Sequence, residues 1–189
     1  MNTPAHLIFG LTAFGTPRSK AVTAAALIGS LIPDLSLYLL VAWEMQVMGT
    51  PPRVVFGEMY FSESWQSIFR IDNSMVLWGI ALAIAIMVGS KLVIALTGAA
   101  MLHLMLDFPL HHDDGRAHFW PISNWIFESP VSYWDGAHYG DIVSIFAVIA
   151  VLICVGFLWR RFHGLWMRGL ILAIGLLELA PAIIFGLMF

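Results

Sequence analysis

The run IVSIFAVIAVLICVGFLW, Ile142 to Trp159, holds eighteen consecutive residues without a charge. A segment that long and that apolar is a bilayer-crossing helix or the buried centre of a large soluble core. A chain of 189 residues is one domain's worth and has no room for the second. Its residues are 60% hydrophobic and only 11% charged, too few charges to clothe a water-facing surface, and the mean hydropathy is +0.85. The chain therefore reads as an all-α, polytopic helical membrane protein. Residues 1–189 form a single integral membrane domain, without repeat, linker or low-complexity tract.

Six helices are predicted. The first, about Pro4 to Phe14, rises only ~17 Å and cannot cross a bilayer, so it is partly inserted or re-entrant. No basic residue precedes it, so it belongs to the mature fold rather than to a secretory signal. About five transmembrane helices follow. The second runs from about Ala21 to Met48, broken near Pro33, and the third from about Ser74 to Val88. The fourth spans about Lys91 to Pro109, the fifth Ile142 to Trp159, and the last Gly169 to Met188. The tight Gly89-Ser90 link makes the third and fourth an antiparallel hairpin. Gly49 to Asn73 and His111 to Asp141 mix Trp, Phe and Tyr with polar residues, the composition of a membrane–water interface.

Alternating the loops puts Arg18, Lys20, Lys91, Arg160, Arg161 and Arg168 on one side. Arg53, Arg70, Arg116 and most acids fall on the other. The positive-inside rule makes the first side cytoplasmic, as in an integral protein of a bacterial inner membrane. The net charge of −3, small and mixed in sign, gives no footprint for nucleic acid. Cys154, the single cysteine, lies in an apolar run and offers neither a disulfide nor a thiolate cluster.

Against this background MLHLMLDFPLHHDDGRAHFWP, Met101 to Pro121, is anomalous. It carries His103, His111, His112 and His118, four of the seven histidines, with Asp107, Asp113 and Asp114. Charged groups inside a bilayer are costly unless paired, hydrated or metal-bound. Counted from the cytoplasmic helix ends at 1.5 Å per residue, His6 lies ~15 Å deep, Asp34 ~20 Å, His103 ~18 Å and Asp107 ~24 Å. One site in the outer half of the membrane would collect all four. His103 and Asp107, at i and i+4, share a helix face. Imidazole and carboxylate together suit a divalent metal, zinc first, with manganese or iron as alternatives. Such an ion pulls the pKa of a held water towards neutrality.

Simpler roles stand beside these. His6 can be a solvated or capping residue, and Asp34 can cap a helix re-formed after Pro33. Asp107 can bridge to Arg70 or Arg116. His111 to Asp114 can be a wet turn, and His163 a headgroup-facing side chain. Glu178 is a ligand-orienting acid, a proton-binding carboxyl or a neutral hydrogen-bonded group.

PAHLIFG, GSLIPDL, LHLMLDFPLHHDD and HFWPIS, in that order, resemble the bacterial membrane-bound metal-dependent hydrolase-like proteins, the group with the YdjM-type, LexA-regulated members. The resemblance covers about the first two-thirds of the chain. It implies a helical membrane protein with a metal site at His6, Asp34, His103 and Asp107. Where that family commonly has a His-Ser pair, this chain has Asp72-Asn73-Ser74. Either Asp72 substitutes or a ligand is lost.

Three functions follow. The first is a metal-dependent hydrolase acting on a lipid or other membrane-delivered ester, phosphoester or amide. His111, His112 or His118 would complete the shell or serve as acid and base. The aromatic segment Phe119 to Tyr139 would cover the site, with Asp135, His138 and Asp141 at its far end. The second is a non-catalytic accessory subunit, bound to a protein partner, that keeps a structural metal or polar network. The third is an ion-coupled transporter using Asp34, Asp107 and Glu178.

Overall fold

The computed structural model describes residues 1–188, with side chains described as far as residue 180. Among the described residues every regular element is helical. In order these are α1 (Thr3–Phe14), α2 (Lys20–Ala42), α3 (Pro52–Val54), α4 (Glu63–Asp72), α5 (Met75–Val88), α6 (Lys91–Asp107), α7 (Gly140–Arg161) and α8 (Leu165–Met188). Helical turns extend α2 to Val47 and α6 to Leu110.

Four stretches are long and apolar enough to cross a membrane: Lys20–Val47, Glu63–Val88, Lys91–Leu110 and Gly140–Arg161. α8 matches them in length, but the side chains of 181–188 lie outside the described residues. The shorter α1 is the hub, packing against α2, α6, α7 and α8. Its Ala5, Ile8 and Leu11 are fully buried, sharing a core with Val151, Leu158, Phe162, Ile171 and Ile174. The outward residues of α7, among them Phe146 and Ile153, stay exposed, as a lipid-facing surface requires.

Close helix approach depends on small residues. A Cβ on Gly29 would lie 2.0 Å from the Leu96 carbonyl oxygen, so α2 and α6 touch backbone to backbone there. A Cβ on Gly10 would lie 1.8 Å from Ser30 Oγ, closing α1 onto α2. The α5–α6 hairpin turns at Gly89, whose φ of +72° is the left-handed helix end that glycine tolerates. Ser90 then caps α6, accepting from the Val93 N–H.

The structure departs from expectation at two places. α2 continues through Pro33 without a break. Proline removes only its own donor, the one that would bond the Gly29 carbonyl. Beside it, side chains from elsewhere in the fold tie α2 down, Asn73 Nδ2 donating to Pro33 O and His103 Nδ1 to Ser30 O. The interfacial segment Gly49 to Asn73 also contains a helix, α4. Ser62 caps it, accepting from the Trp65 N–H, and Arg70 pairs with Glu63 on its outer face at 2.8 Å. Its Trp65 and Phe69 turn inward against Val55 and Tyr60.

Candidate metal centre and its cavity

Two helices deliver the centre. His6 comes from the first turns of α1, His103 from α6 and Asp107 from one turn further along α6. Candidate ligand atoms of these three residues all lie within 4.8 Å of one another, and all three side chains are buried. His6 Nε2 is 2.9 Å from Asp107 Oδ1 and His103 Nε2 is 3.1 Å from Asp107 Oδ2. The two imidazoles stack, centroids 3.6 Å apart and 11° from parallel. The Met1 ammonium also contacts Asp107 Oδ1.

His103 shows what the centre lacks. Its Nδ1 lies 2.7 Å from the Ser30 carbonyl, which can only accept, so Nδ1 carries a proton and, in the neutral imidazole, Nε2 presents a lone pair. That lone pair faces Asp107 Oδ2 and, at 3.6 Å, Asp34 Oδ1. The Asp107 contact is not aligned as a hydrogen bond, and Nε2 is buried without a partner. Acceptors facing acceptors in a dry site require a proton or a cation between them. A backbone acceptor behind an imidazole is also the usual outer-shell arrangement of a metal-binding histidine. The donor set of two imidazoles and a carboxylate therefore fits a divalent ion.

Asp34 stands beside the centre, its Oδ2 taking the Thr3 hydroxyl, whose oxygen is 2.5 Å from Tyr38 OH. Glu178 is buried and accepts from Asn2 Nδ2 and the Ala5 N–H, both at 3.1 Å. It thus closes the first turn of α1 and sets the position of His6.

Of the centre, Asp107 lines a cavity of about 820 Å³, together with Asp34, His111 and His118. His111 sits 3.5 Å from Asp107 Oδ2 and 2.9 Å from Asp114 Oδ1. His118 is buried and donates from Nδ1 to the Asn73 carbonyl at 2.9 Å. Burial brings its pKa down to about 4, so it is neutral at pH 7 with Nε2 free to accept. Tyr133 and Trp134, from the aromatic segment, line the cavity as well.

Other sequence candidates lie elsewhere. His112 faces a separate cleft with Glu63, Arg70 and Glu128, stacked on His138 at 3.6 Å. Asp135 holds His138 at 2.7 Å. Asp107 pairs with neither Arg70 nor Arg116. Asn73 makes structural hydrogen bonds from Nδ2 to Pro33 O and Phe69 O. Asp72 is not among the residues lining the cavity.

Sequence reasoning overlooked Ser30, which orients His103, and Arg116 as a wall of the cavity. The Ser30 carbonyl carries no sequence signal. Arg116 did carry one, as the only cation within the histidine-rich stretch. No family model, curated protein or solved structure matches the chain.

Proposed function

We propose that this chain is a membrane-embedded metal-dependent hydrolase acting on a lipid or other membrane-delivered ester, phosphoester or amide. The site would lie in the outer half of the bilayer, with the Arg/Lys-rich end cytoplasmic. The unsatisfied, buried Nε2 of His103 carries the reading. His6, His103 and Asp107 would hold the ion, zinc first by donor type, with Asp34 beside them. When bound, the ion supplies Lewis acidity and makes water a usable nucleophile near neutral pH. Ser30 fixes the His103 tautomer, and Glu178 fixes the turn bearing His6. His111, between two carboxylates, is placed to deliver a proton to a leaving group. His118, neutral and anchored through Nδ1, is placed to accept one. The resemblance to membrane-bound metal-dependent hydrolase-like proteins accords with this reading.

One observation favours a second reading. The His6 Nε2 hydrogen bond to Asp107 Oδ1, at 2.9 Å, partly satisfies the carboxylate without a metal, as a non-catalytic accessory subunit would need. The transporter reading has less support, because the polar groups gather at one end while the α2–α6 seam towards the other is alanine-rich. Elemental analysis and ester, phosphoester and amide hydrolysis assays, on wild type, His103→Ala and Asp107→Asn, separate the readings. Full activity in metal-free protein would remove the hydrolase.

A further inference from the structure

Arg116 is only 9% exposed, and its guanidinium lies against two aromatic rings, 4.5 Å from the Tyr60 centroid and 4.2 Å from that of Phe69. The rings hold it in place but accept no in-plane hydrogen bonds. Its Nη1 is buried without a partner, and among the described residues no carboxylate forms an ion pair with it. A buried cation left in that state is costly unless an anion completes it. Four carboxylates, Asp34, Asp107, Asp113 and Asp114, line the same cavity, and none of them forms an ion pair with Arg116; Asp34 accepts from Thr3, Asp107 meets His6 and Asp114 accepts from Trp134 Nε1.

Arg116 lines the same cavity as Asp107, His111 and His118. Across that cavity stand Leu37 and Tyr38 of α2 with Leu177 and Ala180 of α8. Tyr38 and Leu177 are 49% and 60% exposed, on helices whose outer surfaces are apolar. The cavity thus joins an oxyanion-binding fork to a wall continuous with the lipid-facing surface. A guanidinium matches phosphate oxygens in pairs, as a lysine cannot.

We infer that the cavity binds a phosphate-bearing membrane lipid, with the phosphate on Arg116 and the acyl chains between α2 and α8. This rests on the hydrolase reading for its reaction, and narrows the substrate of that site to a lipid phosphoester. It stands on Arg116 and the cavity for its binding.

The test titrates the purified full chain in detergent with dioctanoyl phosphatidic acid, dioctanoylglycerol and glycerol 3-phosphate, with metal content measured on the same sample. Phosphatidic acid should bind at least about tenfold tighter than the neutral lipid, the worth of a charge-assisted hydrogen bond. It should also exceed glycerol 3-phosphate at least about tenfold, which burial of a few methylenes supplies. Arg116→Gln should abolish the preference over the neutral lipid, with metal content unchanged. Arg116→Lys should retain only part of it. Equal binding of the two lipids, or an undiminished preference in Arg116→Gln, overturns the inference. Glycerol 3-phosphate matching the lipid would make the occupant a soluble phosphate and overturn it equally. If Arg116→Gln does not fold, the wild-type comparison decides alone. Absence of metal with the preference intact would remove the hydrolase reading and leave the phosphate site standing.

Discussion

Replacing Gly29 with alanine tests how the bundle holds its candidate centre. Alanine is the better helix former, by roughly 0.5–1 kcal/mol, so the substitution should stabilise an unencumbered helix. At Gly29 the added Cβ would lie 2.0 Å from the Leu96 carbonyl oxygen and 2.8 Å from its carbon, backbone atoms that cannot rotate away. Ordinary contact is roughly 3.5 Å, so α2 and α6 must part by roughly 1 Å or more. The net effect should be destabilisation of about 1–3 kcal/mol. The next residue is Ser30, whose carbonyl lies 2.7 Å from His103 Nδ1. Parting the helices by roughly 1 Å takes that contact beyond hydrogen-bond range. Metal affinity should then fall by roughly 10–100-fold, the usual effect of losing an outer-shell partner. Thermal unfolding in detergent reads the first effect and competitive zinc titration the second. Gly156→Ala is the control, because a Cβ there meets nothing within 4 Å. It should be neutral or slightly stabilising and leave zinc binding unchanged. A Gly29→Ala protein as stable and as zinc-avid as the control would refute both the packing and the role given to Ser30.

Three further outcomes follow from named contacts. Glu178→Ala leaves Asn2 Nδ2 and the Ala5 N–H without their acceptor and should cost about 1–3 kcal/mol in thermal unfolding, whereas Glu178→Gln, which keeps an acceptor oxygen, should cost less. His118 is neutral in the fold, with its pKa brought from the ordinary 6.5 to about 4, so its contribution is fully present above about pH 6.5 and lost as pH falls towards 4. That interval corresponds to roughly 3 kcal/mol, and unfolding between pH 7 and 4 should show a component that His118→Asn lacks. Arg161→Ala removes the Nη1 hydrogen bonds to Thr12 O and Gly15 O that fasten α7 to the end of α1, and should lower the melting temperature without altering metal content.

The helices were legible because lipid demands long apolar runs, and because the signals at their ends are local. Gly89 and Ser90 sit where a left-handed turn and an N-cap are needed. The shared depth of His6, His103, Asp107 and Asp34 was also legible, since counting residues along helices from a common face measures height. Azimuth was not legible. Which way His112 points depends on the loop Ser129 to His138 folding back over it, and nothing in HHDD separates it from His111. α4 was hidden because its pattern is amphipathic rather than apolar, in a segment whose mixed composition reads as interface. Its Trp65 and Phe69, at i and i+4, were the available signal. The break expected at Pro33 does not occur, because a proline costs a helix one hydrogen bond and the packing around it, with Asn73 on Pro33 O and His103 on Ser30 O, holds the helix through that position.

Everything proposed for the site depends on His6, His103 and Asp107 holding a metal ion. Elemental analysis of the purified chain, before and after dialysis against zinc and in parallel with His103→Ala, tests it most directly. Wild type should carry a stoichiometric divalent ion, lost in the variant while the fold persists. A wild-type chain that takes up no ion, or a His103→Ala chain that keeps it, would contradict the claim.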